Sequence, residues 1–196
     1  MMKPVLKADN ETRAWFKKLN PLMIVFWRLG LGNWINIWPE KFGQIMILTH
    51  HGRKSGKLRR TPVNYADING DIYITAGFGS ISDWYRNLQA DPKVELWLPD
   101  SWWAGEAEEI TDPHLRIPIL RQVLIASGFA TYAAGIDPFK TSDDELESLT
   151  QGYRLIRIRK TAPRTGPGGP GDLSWVWIVT TLFLLVKLLS KHHKKR

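Results

Sequence analysis

A short basic turn between two apolar strands carries the residues with the clearest chemical potential in this sequence. Residues 48–62 read LTHHGRKSGKLRRTP, with five positive charges and no acidic residue. Gly52 and Gly56 permit backbone geometries that expose N–H groups, and Ser55 adds a hydroxyl donor. Such a turn can bind a phosphate or a carboxylate. Taken alone, the segment is equally consistent with a solvated basic turn.

A second loop is rich in small residues and suits a different part of a ligand from the basic turn. It reads TAGFGS at 75–80 and leaves a predicted strand. Small residues at the end of a strand let a flat ring approach the backbone closely. Ser82 can cap the following helix, whose N-terminus directs positive partial charge toward a neighbouring anion. Trp84 and Tyr85 can wall a ring or belong to the core. Together the two loops favour a ligand with a phosphate and a planar heterocycle.

Several other kinds of site are excluded. The basic turn is one residue short of a P-loop, and Leu58 stands where that motif needs Ser or Thr. The glycines at 77–80 lack the third member of a Rossmann fingerprint. The chain has no cysteine, which removes thiol chemistry, and it has no G-x-S-x-G motif of a hydrolase. His50 and His51 are adjacent in a predicted strand and face opposite sides, so they cannot form a metal pair, and we expect no metal.

The charge distribution indicates which partners to expect. Residues 1–60 carry a net charge of +9, residues 61–150 carry −10 and residues 151–196 carry +9. A nucleic-acid binder would present one basic stripe, so we expect no nucleic-acid partner. The distribution suits an anionic ligand near the first basic block and a membrane surface near the last.

Short strands dominate the middle of the chain. Turn signals, of which Asn69-Gly70 is the strongest, separate alternating apolar segments. Six strands are predicted at 45–50, 61–68, 71–75, 94–98, 103–110 and 153–159, with helices over 11–19, 83–90, 113–127 and 143–149. Pro21 opens a further helix, whose apolar residues 22–31 either pack on the core, which we favour, or lie in a membrane interface. The pattern predicts an α+β protein whose mainly antiparallel sheet closes into a small barrel with flanking helices.

The C-terminal region predicts attachment to a membrane. Residues 161–172 contain three prolines and four glycines and indicate a flexible linker. The apolar segment that follows extends about 26 Å as a helix, at the short edge for spanning a bilayer. It either spans the membrane or lies in its interface, and the absence of a signal peptide favours the cytoplasmic face. The expected layout is N-terminal helices at 1–42, the barrel at 43–160, the linker at 161–172, an apolar anchor helix at 173–190 and a basic tail at 191–196.

The two loops also carry a family resemblance. The motifs LTHHGRKSGKLRRTPVNY and TAGFGSISDWYRNLQADPKVELWLP resemble, in order and spacing, those of the deazaflavin (F420)-dependent nitroreductase and quinone reductase family. The likeness covers roughly residues 20–160. It implies a split β-barrel related to the FMN-binding barrel. It also implies hydride transfer from reduced coenzyme F420 to quinones, nitro-compounds and other electron-poor acceptors.

Carried over by position, the resemblance implies the following site residues. The cofactor's phosphate and acidic tail would be held by Arg53, Lys54, Ser55, Gly56 and Arg59. The deazaflavin would be lined by Pro62, Asn64, Ala76, Gly77, Phe78 and Gly79, with Trp84, Tyr85 and Asn87 supporting that loop. Tyr132 is the candidate catalytic donor to an acceptor oxygen that gains charge as hydride arrives, although it can equally be a packing tyrosine. The family usually has small hydroxyl residues in place of His50 and His51, whose role stays open.

Two alternatives remain beside this reading. One is an FMN-dependent oxidoreductase of the same barrel type, and the other is a non-catalytic cofactor-binding protein associated with the membrane. An anchored enzyme would fit a lipid-soluble acceptor such as menaquinone, because tethering raises its local concentration. The physiological acceptor and the oligomeric state stay open.

Overall fold

Six strands form the centre of the fold. The computed structural model describes residues 10–193, with side chains over 18–191 except those of Glu40 and Phe42. The strands are β1 (Ile45–His51), β2 (Leu58–Ile68), β3 (Asp71–Ala76), β4 (Lys93–Leu98), β5 (Ser101–Glu109) and β6 (Arg154–Pro163). Every pairing is antiparallel, and the order β1-β2-β3-β6-β5-β4 closes into a barrel. The prediction of a six-stranded antiparallel barrel is confirmed.

The helices surround this barrel. They are α1 (Asn10–Arg28), α2 (Gly32–Ile35), α3 (Pro39–Phe42), α4 (Asp83–Ala90), α5 (Pro113–Ala126), α6 (Phe129–Ala133), α7 (Asp143–Leu149) and α8 (Trp175–His193), with a 3₁₀ turn at Gly79–Ile81. The predictions for α4 and α7 agree with the structure. The short helices α2, α3 and α6 were not predicted, because four or five residues show too little periodicity.

The N-terminal helix differs from its prediction. One continuous helix, α1, replaces the two that were expected on either side of Pro21, which lies inside it. An interior proline removes one backbone hydrogen bond and is unfavourable by about 3 kcal/mol. Continuing the helix carries Trp27 to a fully buried position against Ile47 and Trp97. Burial of such a large aromatic side chain offsets the cost of the proline.

Alternating side chains place one core inside the barrel and two further clusters on its outer surface. Met46, Leu48 and Tyr65 point into the barrel, whereas Ile47 points outward beneath α1. On another outer side of the barrel, α5 packs against β2 and β3 and buries its apolar side chains, among them Leu120 and Val123. The helices α1 and α5 therefore cover different outer faces of the barrel.

The segment predicted as a free linker is attached to the barrel. We call residues 164–174 the C-terminal strap. The carboxylate of Asp172 accepts hydrogen bonds from Arg28 Nε at 2.9 Å and Nη2 at 2.8 Å. Gly171 N donates to the carbonyl of Trp27 at 2.9 Å. A Cβ placed on Gly169 would lie 2.5 Å from the ring of Trp102. The glycines thus permit close packing here, and the expectation of a detached linker is wrong.

Beyond the strap, α8 presents apolar side chains all around its surface. Ile178 is 66% exposed and Phe183 is 64% exposed, and Leu189 at the far end is 70% exposed. Trp177 Nε1 donates to the carbonyl of Leu29 at 2.9 Å, which fixes the first turn of α8 beside α1. Within residues 10–193, no helix is long and apolar enough to cross a membrane. The prediction of a spanning anchor therefore lacks support, and the tail residues 194–196 lie outside the described part.

Candidate functional site

The basic turn is closed by its own hydrogen bonds. Gly52 N donates to the carbonyl of Lys57, and Ser55 N and Gly56 N donate to the carbonyl of Gly52. Gly56 has a φ of +62°, a conformation that side chains rarely adopt. Lys57 N makes a long contact of 3.4 Å to Ser55 Oγ. The expectation that these glycines expose N–H groups is wrong, so ligand binding at this turn falls to the side chains.

Four of the five cations remain available for that purpose. Lys54, Lys57 and Arg59 are exposed, and the side chain of Arg53 is 25% exposed. Arg60 instead lies against the outer-face cluster beneath α1, with its guanidinium carbon 4.5 Å from the centre of the Trp97 ring. Desolvation by burial lowers the pKa of Arg60, an effect that nearby Arg28 reinforces. The sequence could not separate Arg60 from its neighbours, because the face of a strand residue depends on the register.

Arg53 is the most firmly held of the exposed cations. Its backbone N–H and its Nη1 both donate to Asn87 Oδ1, at 3.1 and 2.9 Å. Its Nη2 lies 3.4 Å from Asp83 Oδ1. Asn87 and Asp83 are on α4, so these contacts fix the turn to the helix that follows the second loop.

The two histidines of the motif have different environments. His50 is 2% exposed, and its Nδ1 and Nε2 lie 3.2 Å from Asn87 Nδ2 and Thr61 Oγ1. Burial lowers the pKa of His50 to about 4, and the charges of His51 and Arg59 act in the same direction. His51 is exposed, with Nδ1 3.4 Å from Asp91 Oδ2. The prediction that they face opposite sides is confirmed. Among the described residues, no acidic or histidine cluster could hold a metal ion.

The second loop packs closely against the residues that immediately precede β6. A Cβ on Gly79, which has a φ of +61°, would collide with the carbonyl of Gly152. Gly77 is exposed and lies against the ring of Tyr153, and Phe78 is half-buried. Ala76 is buried in the barrel interior. The small residues are thus required at least partly by packing of the chain on itself.

Ser82 stands between the second loop and α4. It occupies the N-cap position, but its side chain caps no helix N–H, contrary to the prediction. Its Oγ is buried, and within the described residues it has no hydrogen-bond partner. A buried hydroxyl without a partner is unfavourable unless something else bonds to it. A bound ligand with oxygen or nitrogen atoms would satisfy it.

The aromatic pair that follows Ser82 belongs to the core. Tyr85 is buried in the barrel interior, and its hydroxyl donates to Glu109 Oε2 at 2.7 Å. Trp84 is half-buried against the same cluster. Both residues therefore pack with the side chains of the barrel interior. Of the two roles considered for them, core packing is the one these contacts show.

The remaining predicted residues lie toward the other end of β2. Asn64 Nδ2 donates to the carbonyl of Gln44 at 3.2 Å, and Gln44 N donates to the carbonyl of Ala126 at 2.7 Å. Pro62 pairs with Ile47 on the neighbouring strand. Gly128, which precedes α6, approaches Gly43 closely. These contacts place α6, the helix of Tyr132, beside the Asn64 end of β2.

Tyr132 itself is accessible. Its side chain is 49% exposed, and the neighbouring Phe129 is 68% exposed. An accessible phenol can donate to a small molecule that approaches from solvent. The residues inferred from the sequence therefore lie in two groups, one around Arg53 at the β1–β2 turn and one around Asn64 and the helix of Tyr132.

The comparison with protein families identifies the chain. A family model described as F420H(2)-dependent quinone reductase matches residues 32–139, which is more than half of the chain. The chain belongs to this family. Its cofactor is coenzyme F420, and the protein is an F420-dependent oxidoreductase. The resemblance read from the two motifs is confirmed.

Solved structures give weaker similarities. An F420-H2 dependent reductase, FDR-A, is 18% identical over 59% of this chain and 94% of that chain, with a TM-score of 0.40. A conserved hypothetical protein from Mycobacterium tuberculosis is 16% identical over 86% and 97%, with a TM-score of 0.44. A putative 5-nitroimidazole antibiotic resistance protein from Bacteroides thetaiotaomicron is 14% identical over 62% and 75%, with a TM-score of 0.44.

The residues present fit this cofactor. F420 carries a phosphate and an acidic tail, and the exposed cations of the β1–β2 turn are the complementary groups. Near them, Ser82 Oγ is a buried hydroxyl without a partner among the described residues. The charge of the turn and the free hydroxyl therefore agree with an anionic ligand that also bears polar atoms.

Proposed function

We propose that the protein transfers a hydride from reduced F420 to a quinone, a nitro-compound or a similar electron-poor acceptor, at the cytoplasmic face of a membrane. The observation that carries the proposal is the hydrogen bonding of Arg53 to Asn87, which holds a cationic turn against α4 and the second loop. A preformed cationic site reduces the entropy lost when an anionic cofactor binds.

Each end of the site has a separate task. The side chains of Arg53, Lys54, Ser55 and Arg59 would hold the phosphate and acidic tail, and Gly56 would allow the tight turn that presents them. Pro62, Asn64 and the 76–79 loop would line the deazaflavin. The reduced deazaflavin supplies the hydride. The chain's own residues bind and orient the cofactor and limit the access of water. Tyr132 would donate a hydrogen bond to the acceptor oxygen, where negative charge develops.

The membrane part of the proposal rests on α8. Its exposed apolar side chains have no covering partner within the described residues, and Lys187 and Lys191 add positive charge near its end. Basic residues beside apolar ones favour an anionic lipid surface. α8 would lie in the membrane interface, which brings the barrel close to a lipid-soluble acceptor such as menaquinone.

The test compares the full chain with a version that ends at Ser174, which keeps the strap and removes α8. Each is titrated with F420 and separately with FMN while cofactor fluorescence is followed. Reduced F420 is then mixed with a soluble quinone analogue, or with menaquinone in vesicles containing anionic lipid, and reoxidation is recorded.

We expect both proteins to bind F420 and to reduce the soluble quinone at similar rates. Only the full chain should reduce menaquinone in vesicles quickly. Equal rates on vesicles would reject the membrane part. F420 binding without reoxidation by any acceptor would reject the reductase and leave a binding protein.

A further inference from the structure

The side chain of Asn87 lies between Arg53 and His50. Its Oδ1 accepts two hydrogen bonds from Arg53, one from the backbone N–H and one from Nη1. Its Nδ2 lies 3.2 Å from Nδ1 of His50. Asn87 is 6% exposed and His50 is 2% exposed, so water does not replace these partners. The orientation of one buried amide therefore decides what each neighbour can do.

This orientation fixes the tautomer of His50. Because Oδ1 of Asn87 faces two donors, the NH₂ group must face the imidazole, and Nδ1 of His50 must accept. The proton of the neutral ring is then on Nε2, which donates to Thr61 Oγ1 at 3.2 Å. With the amide reversed, the NH₂ group of Asn87 would face the two donors of Arg53, and both of these hydrogen bonds would be lost.

We propose that His50 is a positioning residue that fixes the orientation of Arg53 toward the cofactor's phosphate by setting the direction of the Asn87 amide. This inference rests on the proposed role of Arg53 in binding F420. The hydrogen-bond arrangement itself, from Thr61 through His50 and Asn87 to Arg53, is independent of any cofactor. It gives His50 a role although the residue never touches the ligand.

The surroundings of His50 keep it in the required form. A protonated ring would place an N–H against the NH₂ group of Asn87. Burial is the largest effect and opposes this state, a hydrogen bond to the His51 backbone favours it, and the charges of His51 and Arg59 oppose it, so the pKa of His50 is lowered overall. α4 contributes the uncharged amide of Asn87 at this point. The ring therefore accepts at Nδ1 throughout the neutral pH range.

Three substitutions separate the acceptor from the bulk of the ring. Asn at position 50 can place its Oδ1 close to the original Nδ1, so His50→Asn retains the acceptor. Gln reaches only toward the Nε2 position, so His50→Gln loses it. His50→Phe keeps a ring without any acceptor. His51→Asn is the matched control, because His51 is exposed and makes no contact with Asn87 among those the structure shows.

The first readout is F420 affinity, measured by fluorescence titration together with kcat at saturating F420. Loss of the acceptor should weaken F420 binding about tenfold in His50→Phe and His50→Gln, as expected when a charged donor loses a fixed orientation. His50→Asn and His51→Asn should stay within about threefold of the wild type. Turnover at saturation should stay close to the wild-type value in all four. Equal affinities of the Asn and Phe variants would overturn the proposal.

The second readout needs no substitution and no cofactor. Long-range ¹H–¹⁵N NMR of the full chain reports which ring nitrogen of His50 carries the proton. We expect the proton on Nε2, and a proton on Nδ1 would overturn the arrangement. If the wild type binds no F420 while the proton is on Nε2, the proposed function fails and, with it, the cofactor-binding purpose assigned to His50. If F420 binds and the proton is on Nδ1, only the role of His50 fails.

Discussion

The guanidinium of Arg60 stacks on the ring of Trp97, with 4.5 Å between the guanidinium carbon and the ring centre. Its Nη2 also donates to the carbonyl of Gly168 in the C-terminal strap, at 2.9 Å. Arg59, the preceding residue, points the other way into solvent. Two adjacent arginines of one motif therefore have different environments, one packed against the barrel and one exposed at the turn where we propose that the cofactor binds.

Substitution of the two arginines should separate these purposes. Arg60→Met keeps most of the stem but loses the cation–π contact and the hydrogen bond, and should lower the free energy of unfolding by about 1–2 kcal/mol. Arg59→Met should change it by less than about 0.5 kcal/mol. F420 affinity should show the reverse order. Urea unfolding and F420 titration of both variants test this, and a larger stability loss in Arg59→Met would contradict it.

Removal of one hydroxyl tests the assignment of Tyr132. Tyr132→Phe should lower kcat about tenfold or more with a quinone acceptor, because the hydrogen bond to the developing charge is lost. F420 affinity should not change, since the hydroxyl is assigned to the acceptor. Tyr65→Phe, the same chemical change inside the barrel, is the matched control for turnover. An unchanged rate for Tyr132→Phe would remove Tyr132 from the mechanism.

The ion pair between Arg28 and Asp172 should hold the strap in place. Asp172→Asn weakens a two-point contact whose carboxylate side chain is only 16% exposed. We expect a loss of about 1 kcal/mol in the free energy of unfolding, with faster proteolysis within residues 164–174. Asp143→Asn, at an ion pair with Arg121 whose carboxylate is 71% exposed, should have a smaller effect. Equal proteolysis of the two variants would argue against the assignment.

The pKa of His50 gives a pH dependence of stability with a defined sign. The pKa falls from 6.5 to about 4 in the folded protein, mainly through burial. Between these values the unfolded chain binds a proton that the folded chain does not, so acid favours unfolding. This contribution to stability is complete above pH 6.5 and decreases by at most about 1.4 kcal/mol per pH unit as the pH falls toward 4.

Urea unfolding at several pH values measures this dependence. His50→Asn has no titrating ring, so its stability should fall less steeply than that of the wild type between pH 6.5 and pH 4. Carboxylates contribute equally to both proteins and cancel in the difference. Parallel curves for the two proteins would show that His50 does not titrate as assigned.

Local sequence signals predicted the barrel well. Asn69 and Gly70 have φ values of +55° and +90°, as expected of the tight hairpin turn that their types indicate. Along β6, Ile156 and Ile158 are buried, whereas Arg157 is half-buried and Arg159 is exposed, as their alternation in the sequence indicates. These signals act over a few residues, and the surrounding fold reinforces them.

The sequence did not predict contacts between residues that are far apart along the chain. Gly169 belongs to a segment whose composition indicates flexibility, yet its lack of a side chain serves a close contact with Trp102, 67 residues earlier. The link from His50 to Asn87 joins residues 37 positions apart. Ser82 was predicted as a cap from its type alone, and its geometry differs. No local pattern encodes such contacts, since they depend on how the whole barrel closes.

The contact between Arg28 and Asp172 has a consequence for the order in which the protein is made. The two residues are 144 positions apart, so the ribosome produces α1 long before the strap that secures it. α1 must wait for β1 and β4 to form the surface beneath it, and for the strap to leave the ribosome before its end is fixed. Contacts between residues far apart in sequence form slowly. The end of α1 is therefore secured only after residues 164–174 have been made.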